Sequence, residues 1–195
     1  NGVTMLPQSN STTYISSLNL QPGKYILAVG RFVQEKRFDK LIEAYISLNN
    51  NDYKLVIAGD ADFETNYSKT LKENAMKNSI ILTGMIKGEK LQELYSNARL
   101  FVFPSEAEGM PMSLLEAMSY NCSCLVSDIP ENKEVGKTYV QYFESKNTES
   151  LKQKLIESLK NDEFGKNDLK KYIRENYSWD FVVDQTLQLY SKIIR

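Results

Sequence analysis

The stretch Phe101-Val-Phe-Pro-Ser-Glu-Ala-Glu-Gly-Met-Pro-Met-Ser-Leu-Leu-Glu-Ala-Met-Ser119 opens as an apolar run ending at Pro104. It passes through a polar turn carrying Glu106, Glu108 and Gly109, and becomes apolar again at Pro111. That pattern predicts strand, loop and helix in succession. Pro111 suits the first turn of a helix, where a missing N–H costs nothing, and Gly109 lets the backbone come close to a ligand. The N–H groups of a first turn are unpaired and lie at the positive end of the helix dipole, so Gly109, Met110, Pro111 and Met112 predict an anion site. Glu108 in the loop and Glu116 along the helix flank it, an arrangement suited to a ligand with both phosphate and hydroxyl groups. Read alone, the same residues also fit a solvated loop glutamate and a helix carboxylate favoured by the dipole.

Upstream, residues 24–30 form an apolar run stopped by Gly30, which reads as a buried strand. Phe38, Leu41, Ile42, Tyr45 and Leu48 then recur at helical spacing. This βα unit places Arg31 and Lys36 in the loop at the carboxyl end of the first strand, where ligands bind in open α/β sheets. Arg offers a bidentate fork and Lys a point charge, both suited to a diphosphate. A solvated basic loop is the plain alternative.

The alternation continues. Strands are expected at 54–59, 79–84, 99–103, 122–127 and, short, at 139–143; helices at 63–77, 88–97, 111–120, 148–160, 169–176 and 181–194. Asp60 reads as a cap or loop residue, residues 128–131 as a proline turn closing the fifth strand, and Trp179 as aromatic packing before the last helix. Residues 1–23 read as an irregular lead-in, and 24–195 as one α/β domain with a Rossmann-like, doubly wound parallel sheet.

Bulk properties exclude several classes. The 195 residues can bury one substantial core. With 24 basic against 25 acidic side chains there is no global field to recruit nucleic acid. The longest apolar runs fall far short of the ~20 residues that a spanning helix needs, and no signal peptide is visible at the start. With no histidine and only Cys122 and Cys124, histidine catalysis is excluded and a zinc site lacks ligands. The two cysteines sit on one face of an expected strand, a poor geometry for a mutual disulfide, and read as buried thiols in a reducing cytoplasm. The loop after the first strand reads Gly-Arg-Phe-Val-Gln-Glu, without the Gly-x-Gly-x-x-Gly of nicotinamide-dependent dehydrogenases.

Two motifs together resemble those of the group 1 glycosyltransferases (glycosyltransferase family 4): Ser105, Glu108-Gly109, Pro111 and Glu116-Ala117-Met118, and Gly30-Arg31 with Lys36 five residues on. The resemblance covers nearly the whole chain from Tyr25. It implies one half of a GT-B architecture, the donor-binding domain of an enzyme that transfers sugar from a nucleoside-diphosphate sugar with retention. It further implies that Arg31 and Lys36 grip the diphosphate, Glu116 binds the ribose, Glu108 faces the transferred sugar, and the backbone of Met85 and Ile86 neighbours the base. No metal or other cofactor is implied. The acceptor, a glycan or lipid, would be held by an N-terminal half that 1–23 links to this one, and the location would be cytoplasmic or peripheral at a membrane through that half. This chain departs from the family in carrying Arg37 where glycine is usual after the lysine. A non-catalytic nucleotide- or phosphosugar-binding module is the alternative.

Overall fold

The computed structural model describes residues 2–49, 52–161 and 169–193. Among them six short strands pair in parallel: β1 (Tyr25–Val29), β2 (Lys54–Ala58), β3 (Ile81–Leu82), β4 (Leu100–Phe103), β5 (Cys124–Ser127) and β6 (Gln141–Phe143), in the order β3-β2-β1-β4-β5-β6. Parallel neighbours need crossovers, and helices supply them: α2 (Phe38–Ser47), α3 (Asn66–Lys77), α4 (Glu89–Asn97), α5 (Met112–Ser119), α6 (Pro130–Gly136). The expected Rossmann-like, doubly wound sheet is the observed one.

Successive strand residues point to opposite faces, and both faces are covered. Leu27, Val56 and Phe101 enter one buried cluster with α4 and α5; Ile26, Leu55 and Leu100 enter the other with α2, α3 and α7 (Thr148–Lys160). This double burial is why the strands read as continuous apolar runs and not as alternating ones. Each fully buried large side chain contributes roughly 1.5–3 kcal/mol.

Several boundaries differ from expectation for local reasons. β3 is only Ile81–Leu82, because the parallel ladder ends where the chain turns at the left-handed Gly84, which bridges Gly59 in the antiparallel sense. The helix expected from 63 starts at Asn66, where Thr65 and Ser68 form a capping box. Cys122 lies just before β5; both thiols are free and buried, and burial pushes that of Cys122 up to about 12. The proline turn at 128–131 is the start of α6, with Pro130 in its first turn. Tyr172, on α8 (Leu169–Tyr177), donates to the Val135 carbonyl, and Tyr142 to that of Lys137, so tyrosine hydroxyls satisfy carbonyls at the end of this short helix.

The lead-in holds more structure than its composition suggested. It contains α1 (Thr13–Ser17), it buries Ile15 and Leu20, and Glu93 of α4 accepts from the Ile15 N–H at 2.8 Å. Val3 bridges to Ser178. The last helix, α9 (Trp179–Ile193), starts two residues before the expected 181 and buries none of its side chains; Trp179 lies over Gly2 yet stays 49% exposed, so it does not pack as fully as expected. Asn1 and the expected helix end at 194 lie outside the described residues.

The ends of β1 and β2 approach unusually closely. A Cβ placed on Gly59, at φ +139°, would sit 1.9 Å from the Gly30 carbonyl oxygen. Gly59→Ala is therefore expected to cost on the order of 2–4 kcal/mol. Urea denaturation measures it; an unchanged midpoint would contradict the close approach.

Candidate functional site

In a parallel sheet all strand-to-helix loops leave from one edge. The chain runs outward from β1 to β2 and β3, then returns through β4 to β5 and β6, so the direction of winding reverses between β1 and β4. No crossover covers the gap there, and the loops after β1 and β4 face each other across it. These loops carry the two sequence motifs.

The basic loop turns through a short 3₁₀ segment, Gln34–Lys36, so that Lys36 points across the gap. Its Nζ lies 2.6 Å from Glu108 Oε1 and 4.8 Å from the centre of the Phe103 ring. Only 15% of the lysine side chain and 8% of that of Glu108 reach solvent. Arg31 stands differently: its guanidinium meets Asp62 at 3.1 Å on the open surface, where such a pair is worth little and is readily exchanged for another anion. Asp60 is paired with Lys72 at 2.7 Å and accepts from the Ala61 N–H, which together hold its carboxyl below the ordinary range.

The acidic loop is fastened from below. Ser127 Oγ donates to the Ser105 carbonyl, and Asn132 of α6 donates to Ser127. Ser105 Oγ in turn donates to the Glu35 carbonyl of the basic loop at 3.2 Å. At the start of α5 the expected geometry needs a correction. Pro111 is not inside the first turn but at the cap, with φ −78° and ψ 72°, and the Met112 N–H folds back onto the Met110 carbonyl at 2.8 Å. This is an inverse γ-turn centred on the proline. The Met112 N–H is thus engaged within the turn, whereas Gly109 is exposed and has open space around its Cα.

Glu116 lies on α5 at a cleft of about 350 Å³ whose walls include Gly88, Leu91, Tyr95, Met112 and Trp179. The Tyr95 hydroxyl donates to Glu116 Oε2 at 3.0 Å. Burial pushes the Glu116 carboxyl up from its ordinary value of 4.5, and the tyrosine bond offsets this in part. Burial, with the Glu116 charge adding to it, drives the Tyr95 hydroxyl well above its ordinary range. Met85, exposed, and Ile86, partly buried, follow β3 on the same edge of the sheet. Lys36 and Glu108 are thus brought into contact, while Glu116 and Met112 line a cleft whose walls do not include them. Tyr95, Asp62 and the Arg37–Glu106 pair were not foreseen. Each meets its partner across at least 21 positions, beyond the reach of any local pattern.

Comparison with known proteins gives the family and agrees with the fold. The sequence matches the family described as glycosyl transferases group 1 over residues 11–179. It is 30% identical over 173 residues to the uncharacterized glycosyltransferase MJ1607 of Methanocaldococcus jannaschii, covering 86% of this chain but 44% of that protein. The fold superposes on Anabaena Alr3699/HepE, solved in complex with UDP and glucose, with a TM-score of 0.84 at 16% identity, over 98% of this chain and 55% of that one. It also superposes on the C-terminal domain of the group 1 protein LpcC from Francisella tularensis, with a TM-score of 0.74 at 20% identity, over 91% of this chain and 100% of that domain. The chain thus spans about half the length of the longer proteins, 44% and 55%.

The raised pKa of Glu116 has a thermodynamic consequence. Between 4.5 and the raised value the folded state binds more protons than the unfolded one, so unfolding free energy falls as pH rises through that window. Glu116→Gln removes this dependence. Urea denaturation across the acid range should show the variant gaining stability relative to the wild type as pH rises; parallel pH profiles would mean that the carboxylate carries no burial penalty.

Proposed function

Because this chain belongs to the glycosyl transferases group 1 family, we propose that it is the donor-binding half of a retaining glycosyltransferase that takes sugar from a nucleoside-diphosphate sugar. The observation that carries this reading is the meeting of Lys36 with Glu108 at the uncovered gap between β1 and β4. An anionic diphosphate entering there meets the Lys36 ammonium and the weakly held Arg31 guanidinium, and these cations neutralise the charge that builds on the leaving group. They are supplied by the chain itself, so no metal is needed for this role. Glu108, released from Lys36 as the phosphate takes the lysine, faces the hydroxyls of the sugar. Glu116 accepts from the ribose, and the backbone of Gly109 and of Met85 and Ile86 completes the diphosphate and base contacts. The UDP and glucose with which the Anabaena protein was solved belong to the ligand class that this reading requires.

The acceptor belongs to a partner domain. Trp179, Val183, Leu187, Tyr190 and Ile193 of α9 are exposed at spacings that put them on one face of the helix. A stripe of this kind is the natural seat for a second domain, whose attacking group must be held over the sugar. Such positioning supplies several kcal/mol of the barrier, roughly 7–11 in the best cases. None of the described helices is long and apolar enough to cross a membrane.

Calorimetric titration with nucleoside diphosphates tests the reading. Lys36→Ala should weaken binding by about 1.5–3 kcal/mol, the scale of a charge-assisted hydrogen bond, and Arg31→Ala less, because its site is open to solvent. Both losses should shrink as salt rises. Wild-type protein that binds no nucleoside diphosphate while folded would overturn the assignment. The ribose role has its own readout: Glu116→Ala should lose affinity for the ribonucleotide but not for its 2′,3′-dideoxy counterpart. An equal loss for both would make Glu116 a structural residue.

A further inference from the structure

The Lys36–Glu108 contact is not the only tie between the two loops. Arg37 Nη1 meets Glu106 Oε1 at 2.9 Å, and the same guanidinium reaches Asp39, in the first turn of α2, at 3.3 Å. The side chains of Arg37 and Glu106 are 22% and 19% exposed, so solvent screens the pair less than an open surface pair. Alongside it the Glu106 N–H donates to the Glu35 carbonyl at 2.8 Å, and the wholly buried Ser105 hydroxyl donates to the same carbonyl. Arg37 achieves this from a left-handed backbone, φ 49° and ψ 37°. Glycine occupies that region freely and other residues rarely enter it. Strain of this kind persists where the surroundings over-determine the conformation. A glycine here would satisfy the backbone and leave Glu106 without its cation.

We propose that Arg37 is a positioning residue for the diphosphate site: by holding Glu106 it fixes the 34–37 turn against the 105–109 loop, at the separation that lets Lys36 and Glu108 face one phosphate-bearing ligand. This rests on the reading of the gap as a nucleoside-diphosphate site. The Arg37 fork is divided between two carboxylates, where Lys36 and Arg31 each meet one, so its assigned role is to hold the loops and not the phosphate. Its contribution is preorganisation: without the clamp the two loops must be ordered at the moment of binding, and that ordering weakens affinity.

The test is calorimetric titration of wild type, Arg37→Gly, Glu106→Gln and the double variant. The ligands are whichever of UDP, GDP or ADP the wild type binds most tightly, and its parent nucleoside. Each single variant should bind the diphosphate about 5- to 20-fold more weakly, less than the loss of a direct charge-assisted contact because only the ordering of the loops is lost. Nucleoside binding should stay unchanged, and the double variant should be no weaker than either single one. Thermal melting should find Arg37→Gly folded at the titration temperature, since relief of the left-handed strain offsets part of the lost ion pairs, so that weaker binding reads loop positioning and not unfolding. Glu106→Gln separates positioning from simple attraction: it leaves the Arg37 charge in place and freer to move, so attraction predicts equal or tighter diphosphate binding where positioning predicts weaker. Diphosphate affinity at the wild-type level in either single variant overturns the proposal. A wild type that binds none of the three diphosphates overturns the function proposed above, and this inference falls with it.

Discussion

The candidate site of this domain depends on the uncovered gap between β1 and β4. The chain leaves β1 toward one edge of the sheet and leaves β4 toward the other, so no helix can close over the space between them. Both strands are buried on both faces and cannot slide without exposing apolar side chains. Their loops are therefore presented from fixed points, and the loops carry opposite charge: Lys36 and Arg37 on one side, Glu108 and Glu106 on the other. The contact of Gly59 with the Gly30 carbonyl belongs to the same construction, since it allows neighbouring strand ends to converge beneath the basic loop.

The charges at the gap are balanced before any ligand arrives. A largely buried ammonium and carboxylate would each carry a heavy desolvation penalty alone, and their 2.6 Å contact offsets much of it. In the proposed function an arriving anion would exchange one partner for another and would not have to assemble a site, which is the sense in which fixed, preorganised charges act. Glu116 is held on different terms. Among the described residues its carboxylate meets the Tyr95 hydroxyl and not a cation, so its burial is only partly compensated and its pKa stays raised. A carboxylate kept short of partners in a cleft of about 350 Å³ is the feature on which its proposed ribose role rests.

The two ends of the described chain are tied together at the wall of the Glu116 cleft. Val3 pairs with Ser178, Gly2 lies under Trp179, and residues 7–15 run along α4 through bonds to Gln92, Ser96 and Glu93. The segment that reads as coil thus braces the helix whose Tyr95 supports Glu116. The apolar stripe of α9 begins at the same place and leads away from the core.

The sequence by itself determined the fold class, because that information is local. Apolar runs of strand length, helical stripes such as Phe38-Leu41-Ile42, and glycines at strand ends each depend on neighbours a few positions away. The candidates Arg31, Lys36 and Glu108 could be picked out for the same reason, since charged residues in loops after strands stand out against apolar surroundings, and Glu116 because it interrupts an apolar helix. Short elements were less so: α6 was hidden behind its proline, and Pro111 proved to centre a turn and not to begin a helix. Tertiary structure alone decided the pairings. Lys36 finds Glu108 across 72 positions and Arg37 finds Glu106 across 69, and both follow from the placement of β4 beside β1. Strand order is set by how whole helices and strands bury their faces together, a property of the assembled core that no local run of residues encodes.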